Sequence, residues 1–245
     1  MLNKFKLIFF FSLLFGSVVN LKPSEAKFFD FLGIKFRIVK NGDSPNRYIW
    51  IHGDEKTARM ALEDHLELFE GTAFFIENDE REIPFETTII DPNRIFSRNG
   101  AYYALRKFKP NWEIQKLNAA LDYIHNEKVN LIQAIKPTKK GLLISVHNNS
   151  RGYNVYREKD KSQAVSIKSG QNPRDFIICT DKNDFEILSS GPYNVVLQNE
   201  LPDKDDGSLS WEAIRLNIRY LNIETRLGYR TKQRKILEFV EKNLN

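Results

Sequence analysis

The stretch Arg47–Phe69, "RYIWIHGDEKTARMALEDHLELF", decides how the rest of the chain is read. "NRYIWIH" reads as a strand. "TARMALEDHLELFEG" then puts Ala58, Ala61, Leu62, Leu66 and Phe69 along one side of a helix, with Gly71 as its expected stop. His52 stands at the mouth of the strand, and Glu55 follows three residues later, where the helix begins. An imidazole and a carboxylate at that spacing can face one metal ion. The same spacing also suits a polar turn, so the remaining sequence has to choose.

The alternation continues on both sides of this stretch. "IKFRIVKNG" reads as a strand ending in a turn at Asn41-Gly42, and "TAFFIEN" as another strand. "REIPFETTIID" holds Pro84, which favours a strand edge. "EIQKLNAALDYIHNEKVNLIQAI" is a long amphipathic helix, and "KKGLLISVHNN" a strand ending at His147. "RDFIICTD" and "YNVVLQNE" are strands with the helix "KNDFEILSS" between them. "IRYLNIET" is a late strand, and "TKQRKILEFVEKNLN" closes the chain as a helix. Strands alternating with helices predict an α/β sheet covered on both faces. Such sheets bind ligands at the carboxyl ends of their strands. His52, His147 and Glu224 each follow an apolar strand.

The chain has 245 residues, 41% hydrophobic and 28% charged, which suits one globular domain with a real core. Its first 26 residues differ from the rest. "MLNKFK" is a short basic start, and Leu7–Val19 is an uncharged apolar run too short for the roughly 20 residues of a membrane span. Ser24 and Ala26 are small residues placed as a signal peptidase requires. The expectation is a signal peptide at 1–26, cleaved near Ala26, and one domain at 27–245 without a stable membrane anchor. A periplasmic or secreted location follows, with an uncleaved N-terminal anchor as the alternative. The lone cysteine, Cys179, cannot make an internal disulfide and reads as a core thiol within "DFIICTD". The first 26 residues carry a net +2 of the chain's +5, so the remainder is close to neutral. With no Lys/Arg run and no aromatic-basic ladder, nucleic-acid binding has no support. The basic tail reads as a solvated helix face above Ile236, Leu237 and Val240.

A catalytic zinc takes three protein ligands and keeps a fourth position for water. His52 and Glu55 supply two. The chain has four histidines: His65 and His125 lie within helices as surface or core-edge residues, and His147 ends an apolar strand as His52 does. His147 is therefore the natural third ligand. Glu224, on another strand terminus, is the candidate base for a metal-activated water. "DPNRIFSRNG" places Asn93 beside Arg94, whose planar fork matches a substrate carboxylate. Arg59 and Arg98 are candidates to share that role.

The ordered set His52-x-x-Glu55, Asn93-Arg94, His147 and Glu224 resembles the zinc carboxypeptidase family, the M14-type fold. "DPNRIF" is similar to the Asp-x-Asn-Arg-x-Phe form of its succinylglutamate desuccinylase and aspartoacylase branch. "VHNN" and "NIETRLGY" resemble the strands that carry the third ligand and the catalytic Glu. The likeness spans about Ile49 to Tyr229. It implies a three-layer α/β/α fold with a mixed central sheet, zinc-carboxypeptidase-like. It implies Zn2+ held by His52, Glu55 and His147, with Glu224 as general base and then general acid. It implies that Asn93 and Arg94 grip a terminal carboxylate. The family's oxyanion arginine has two candidates, Arg59 and Arg81. For the family's capping tyrosine Tyr193 is a candidate by position, and Tyr153 is a candidate pocket-lining residue. An exported enzyme acting beside a free carboxylate is expected to meet short peptides, cell-wall stem peptides among them. The alternatives are an exported N-acyl amino acid deacylase on the same site, and a non-catalytic binding protein on a hydrolase scaffold.

Overall fold

The structure, a computed structural model, describes residues 27–138, 140–149 and 152–244. The expected signal segment 1–26 lies outside the described residues. The chain runs through β1 (Lys27–Phe31), β2 (Ile34–Asn41), β3 (Arg47–Trp50), α1 (Lys56–Leu68) and β4 (Gly71–Ile76). A small hairpin of β5 (Ile83–Phe85) and β6 (Thr88–Ile90) follows, then a 3-10 turn (Pro92–Arg94), α2 (Arg98–Phe108) and α3 (Ile114–Ile135). The second half holds β7 (Leu143–Asn149), α4 (Val155–Lys159), β8 (Ala164–Ser166), β9 (Phe176–Cys179) and α5 (Lys182–Ser190). It ends with β10 (Asn194–Leu197), α6 (Leu209–Arg215), β11 (Tyr220–Arg226) and α7 (Arg230–Leu244).

Nine strands form one mixed sheet in the order β1-β2-β4-β3-β7-β11-β9-β10-β8. Its centre, β4-β3-β7-β11, is parallel, and antiparallel pairings flank it on both sides. Helices α1, α5 and α7 pack together on one face, while α2 and α3 pack together and α6 contacts β11. The expected three-layer α/β/α architecture is what the chain adopts. Strand β7 shows why: all seven of its residues are buried, as a central parallel strand covered on both faces demands.

Several boundaries differ from the sequence reading, each for a physical reason. Helix α1 ends at Leu68 and not at Gly71, because Phe69 turns extended (φ −128°, ψ 149°). The Asn41 side chain donates to the Leu66 and Phe69 carbonyls at 2.9 and 3.1 Å, satisfying groups a helix end leaves open. Gly71 instead opens β4. Strand β7 runs past His147 to Asn149, because its pairing with β11 continues through Asn148–Thr225 and Asn149–Arg226. Helix α2 was not anticipated, although its N-cap was legible: the Ser97 hydroxyl accepts from the Gly100 N–H at 3.1 Å. His65 is a core residue and not a surface one. It is 4% exposed, and its Nε2 lies 3.1 Å from the Tyr48 hydroxyl. Tyr48 in turn donates to Glu241 on α7 at 2.9 Å. Cys179 is fully buried, as expected.

The turn after β3 is pressed against the segment after β4. The Gly53 N–H donates to the Glu80 carbonyl at 3.1 Å, and a methyl at Gly53 would fall 2.1 Å from the Asn78 carbonyl oxygen. That close approach places Arg81 beside the His52–Glu55 turn. Gly53→Ala should therefore force a backbone shift and cost about 3 kcal/mol or more. Gly33→Ala is the control: at φ +80° its methyl meets nothing within 4 Å, so only the roughly 1–2 kcal/mol of a left-handed residue applies. Urea unfolding of both variants measures the difference. If Gly53→Ala is no more destabilising than Gly33→Ala, and Arg81 still reaches its partners, the crossing is not tight.

Candidate metal centre

His52 follows β3 by two residues, and the parallel register sets Glu224 of β11 directly beside His147 of β7. Strand alternation then puts His147 and Glu224 on the same face. Their neighbours Asn148 and Thr225 face the opposite layer. There Asn148 Oδ1 accepts from the Ala58 N–H at 2.7 Å, and its Nδ2 donates to Thr225 and Gln233. One strand pair thus carries site chemistry on one face and anchors α1 and α7 on the other.

Glu55 is the meeting point. Oε1 lies 2.9 Å from His52 Nδ1, and Oε2 lies 2.9 Å from His147 Nδ1. The two ring nitrogens are 3.2 Å apart. Oε1 also accepts from Arg81 Nη1 at 2.9 Å, and Oε2 from the Asn148 N–H at 3.0 Å. His52 Nε2 faces Asp91 Oδ1 at 2.9 Å. A carboxylate can only accept there, so Nε2 donates to it, and Nδ1 is the ring nitrogen that would turn to a bound metal. Arg81 reaches Asp91 as well, with Nε at 3.3 Å from Oδ2.

The electrostatics follow from this crowding. Burial by itself lowers the His52 imidazole, but the Glu55 and Asp91 carboxylates outweigh it and push it up to about 9. Burial by itself raises Glu55, yet the His52 and His147 rings hold it well below the usual carboxylate range. Asp91 is held low in the same way, by His52 and Arg81 against burial. Glu224 goes the other way: burial, with Glu55 nearby, raises it although His147 opposes.

These residues fit a metal ion. His52, Glu55 and His147 each offer a ligand atom, all within 4.8 Å of one another. Ligands around a tetrahedral ion at about 2.1 Å sit about 3.4 Å apart, a little beyond the 2.9–3.2 Å observed. Two imidazoles with one carboxylate and a space beside them are a catalytic donor set. The Asp91–His52 bond is the outer-shell contact that orients a ligating histidine.

The site opens into a cleft of about 410 Å³ that also holds Asn93, Arg94, Tyr153 and Glu224. Glu224 is 6% exposed and accepts from Asn149 and Asn222 at 3.3 Å each. The Arg94 side chain is 35% exposed; its Nη1 donates to the Asn93 carbonyl at 2.8 Å and lies 3.7 Å from Asp206, while the guanidinium lines the cleft. The amide oxygen of Asn93 is taken by the Leu209 N–H at 3.0 Å, which docks α6. Burial and the Glu224 and Glu158 carboxylates push the Tyr153 phenol well above its ordinary value. Three candidates are placed elsewhere. Arg59 pairs with Glu63 at 3.1 Å and lies over the Trp50 ring, so of the two oxyanion candidates Arg81 is the one in the cleft. Arg98 pairs with Asp122 at 2.6 Å, and Tyr193 packs edge-on against Phe239. Asp91 was missed as a site residue. Its signal was present, as a carboxylate opening the "DPNR" stretch, but its partner is 39 residues away.

No protein-family model and no curated protein matches this chain. Three of the solved structures it is similar to give the range. The product-bound ectoine utilization protein EutE (DoeB) of Ruegeria pomeroyi is 14% identical, with TM-score 0.44, covering 84% of this chain and 59% of that one. A succinylglutamate desuccinylase from a Silicibacter species is 14% identical, with TM-score 0.42, covering 86% and 60%. A candidate metallopeptidase from Shewanella amazonensis is 15% identical, with TM-score 0.41, covering 89% and 87%. The chain spans about three fifths of the length of the first two.

Metal analysis tests the centre directly. The wild-type protein should take up about one zinc per chain, and His147→Ala should lose it, because two protein ligands hold zinc poorly. Asp91→Asn should keep the stoichiometry and weaken affinity about 10–100-fold in a chelator competition. Full metal content in His147→Ala would remove His147 from the ligand set.

Proposed function

We propose that the protein is an exported, zinc-dependent hydrolase that cleaves an amide bond next to a free carboxylate. On this reading it acts as a carboxypeptidase on short peptides, cell-wall stem peptides among them. The observation that carries the reading is the convergence of His52, Glu55 and His147 with the buried Glu224 in one cleft. Export is the reading of the N-terminal segment 1–26. Zinc is chosen on ligand type, two imidazoles and a carboxylate.

When bound, the metal would polarise a carbonyl oxygen and acidify water. The chain supplies the rest. Glu224 takes a proton from the attacking water and delivers it to the amide nitrogen as the C–O bond forms and the C–N bond breaks. Its raised affinity for a proton suits that exchange. The Arg94 fork binds the substrate carboxylate and sets the scissile bond against the metal ligands. Arg81, held between Glu55 and Asp91, presents a guanidinium at the rim where carbonyl charge develops.

Past Arg81, Arg94 and Asp206 the cleft adjoins a second groove, lined by Tyr103, Ala104, Lys107 and Phe108. The alternative is an exported N-acyl amino acid deacylase on the same site, whose narrow pocket should reject a bulky peptide. A non-catalytic binding protein would have no use for a buried base beside an assembled ligand set.

Glu224→Gln should retain metal and lose turnover by about 10²–10⁴-fold. Wild-type turnover in that variant would exclude Glu224 as the base. Arg94→Ala should raise KM for peptides with a free C-terminus and leave C-terminally amidated analogues little changed. Equal loss on both would make Arg94 a structural residue.

A further inference from the structure

Neutral groups hold the Glu224 carboxylate from both sides. Asn222, two residues earlier on β11, donates from Nδ2 to Oε1 at 3.3 Å, and Asn149, the last residue of β7, donates from Nδ2 to Oε2 at 3.3 Å. Strand alternation puts Asn149 on the face that carries His147, and Asn222 on the face that carries Glu224. Each carboxylate oxygen thus has a carboxamide of its own. Both bonds are long for an N–H donor. They orient the carboxylate without claiming its lone pairs, and burial keeps its proton affinity raised in spite of them.

Asn149 is the amide whose direction is fixed by a further residue. Its Oδ1 accepts from Arg174 Nε at 3.0 Å. A guanidinium can only donate, so the oxygen faces Arg174 and the nitrogen faces Glu224. The other proton of Nδ2 goes to the Arg174 carbonyl at 2.7 Å, and Arg174 Nη2 donates to the Asn149 carbonyl at 2.7 Å. Asn149 is 5% exposed, and both polar atoms of its side chain are engaged.

Arg174 makes no ion pair with a carboxylate among the described residues; its Nε and Nη2 both serve Asn149. Arg226, in register with Asn149 across the strand pair, shows the usual alternative, with Nη2 on Asp175 Oδ2 at 2.8 Å. The segment that carries Arg174 is pinned: Asn194 Nδ2 donates to the Asn172 and Asp175 carbonyls at 3.0 Å each. A guanidinium set directly on Glu224 would favour its ionised form and weaken it as a base. An amide placed between them transmits direction without the charge.

We propose that Asn149 is a positioning residue for Glu224, with Arg174 setting the direction of its carboxamide. It acts by fixing the plane of the carboxylate in the cleft beside His147. The role of Glu224 as base rests on the hydrolase reading above.

The test is steady-state turnover of benzoyl-glycyl-phenylalanine by the zinc-loaded full chain, with each variant first shown to hold one zinc. Asn149→Ala should lower kcat about 10–100-fold and leave KM within about twofold, because a misplaced base costs rate and not binding. Asn149→Asp separates positioning from support. It keeps an acceptor for Arg174 and adds a charge to that bond, but it has no donor for Glu224. A positioning role predicts that its kcat falls as in Asn149→Ala, whereas a role confined to holding Arg174 predicts wild-type kcat. Arg174→Ala leaves the Asn149 amide in place without its guide and should lower kcat about 3–10-fold, which keeps the test intact if the Asn149 variants do not fold. Wild-type kcat in Asn149→Asp or in Arg174→Ala overturns the proposal, as does a loss that appears in KM alone. Glu224→Gln is measured beside them. Loss of turnover there with wild-type kcat in the Asn149 variants defeats the proposal and leaves the hydrolase reading. Full turnover in Glu224→Gln, or none in the wild type, defeats that reading and the positioning role with it.

Discussion

A carboxylate held out of water at the end of a parallel sheet is the constraint on which this structure depends. Glu55 is 4% exposed, and leaving such a charge without partners would cost several kcal/mol. Its two oxygens take up His52, His147, Arg81 and the Asn148 N–H. These four partners come from three places in the chain: the turn after β3, the end of β7, and the segment after β4. The charge can be satisfied only when all three have arrived. The site is therefore complete only in the folded sheet. The same residue begins α1, and its backbone carbonyl accepts from the Trp50 indole at 2.9 Å, which ties the turn back to the core.

The opposite layer supports this arrangement without sharing its chemistry. Tyr48, His65 and Glu241 link β3, α1 and α7 through a buried polar chain. Asn148 fixes the first turn of α1 from the far side of β7. Both devices hold α1 against the sheet, and α1 starts at Glu55. Geometry at the metal centre is thus set by contacts beneath it, which allows the cleft face to remain open and polar.

The cleft holds charges of both signs. Arg81 and Arg94 line it together with the buried carboxylates Glu224 and Glu158. All of these groups are carried by the sheet face that bears His147 or by the segments that cross it.

Much of this was legible in the chain. His52 and Glu55 are close in sequence, and a strand followed by a helix puts both at one turn, so their partnership needs no tertiary information. The α/β class follows from the alternation of apolar runs and helical stripes, because burial imposes that period on any sheet covered on both faces. The closeness of His147 and Glu224 was of another kind. Each could be placed at a strand end, but only the register of β7 against β11 sets them side by side. Asp91 was hidden because its role exists only where His52 presents Nε2 to it. The choice of Arg81 over Arg59 turned on the close approach at Gly53, and no local pattern carries that. Glu158 gave no signal at all, since a charged residue on a short helix reads as surface until the fold buries it. Fold class and the residue types at the centre depend on periodicity and on near neighbours, so they can be read along the chain. Which distant groups meet depends on strand register and loop crossings, and those are settled by packing across the whole sheet.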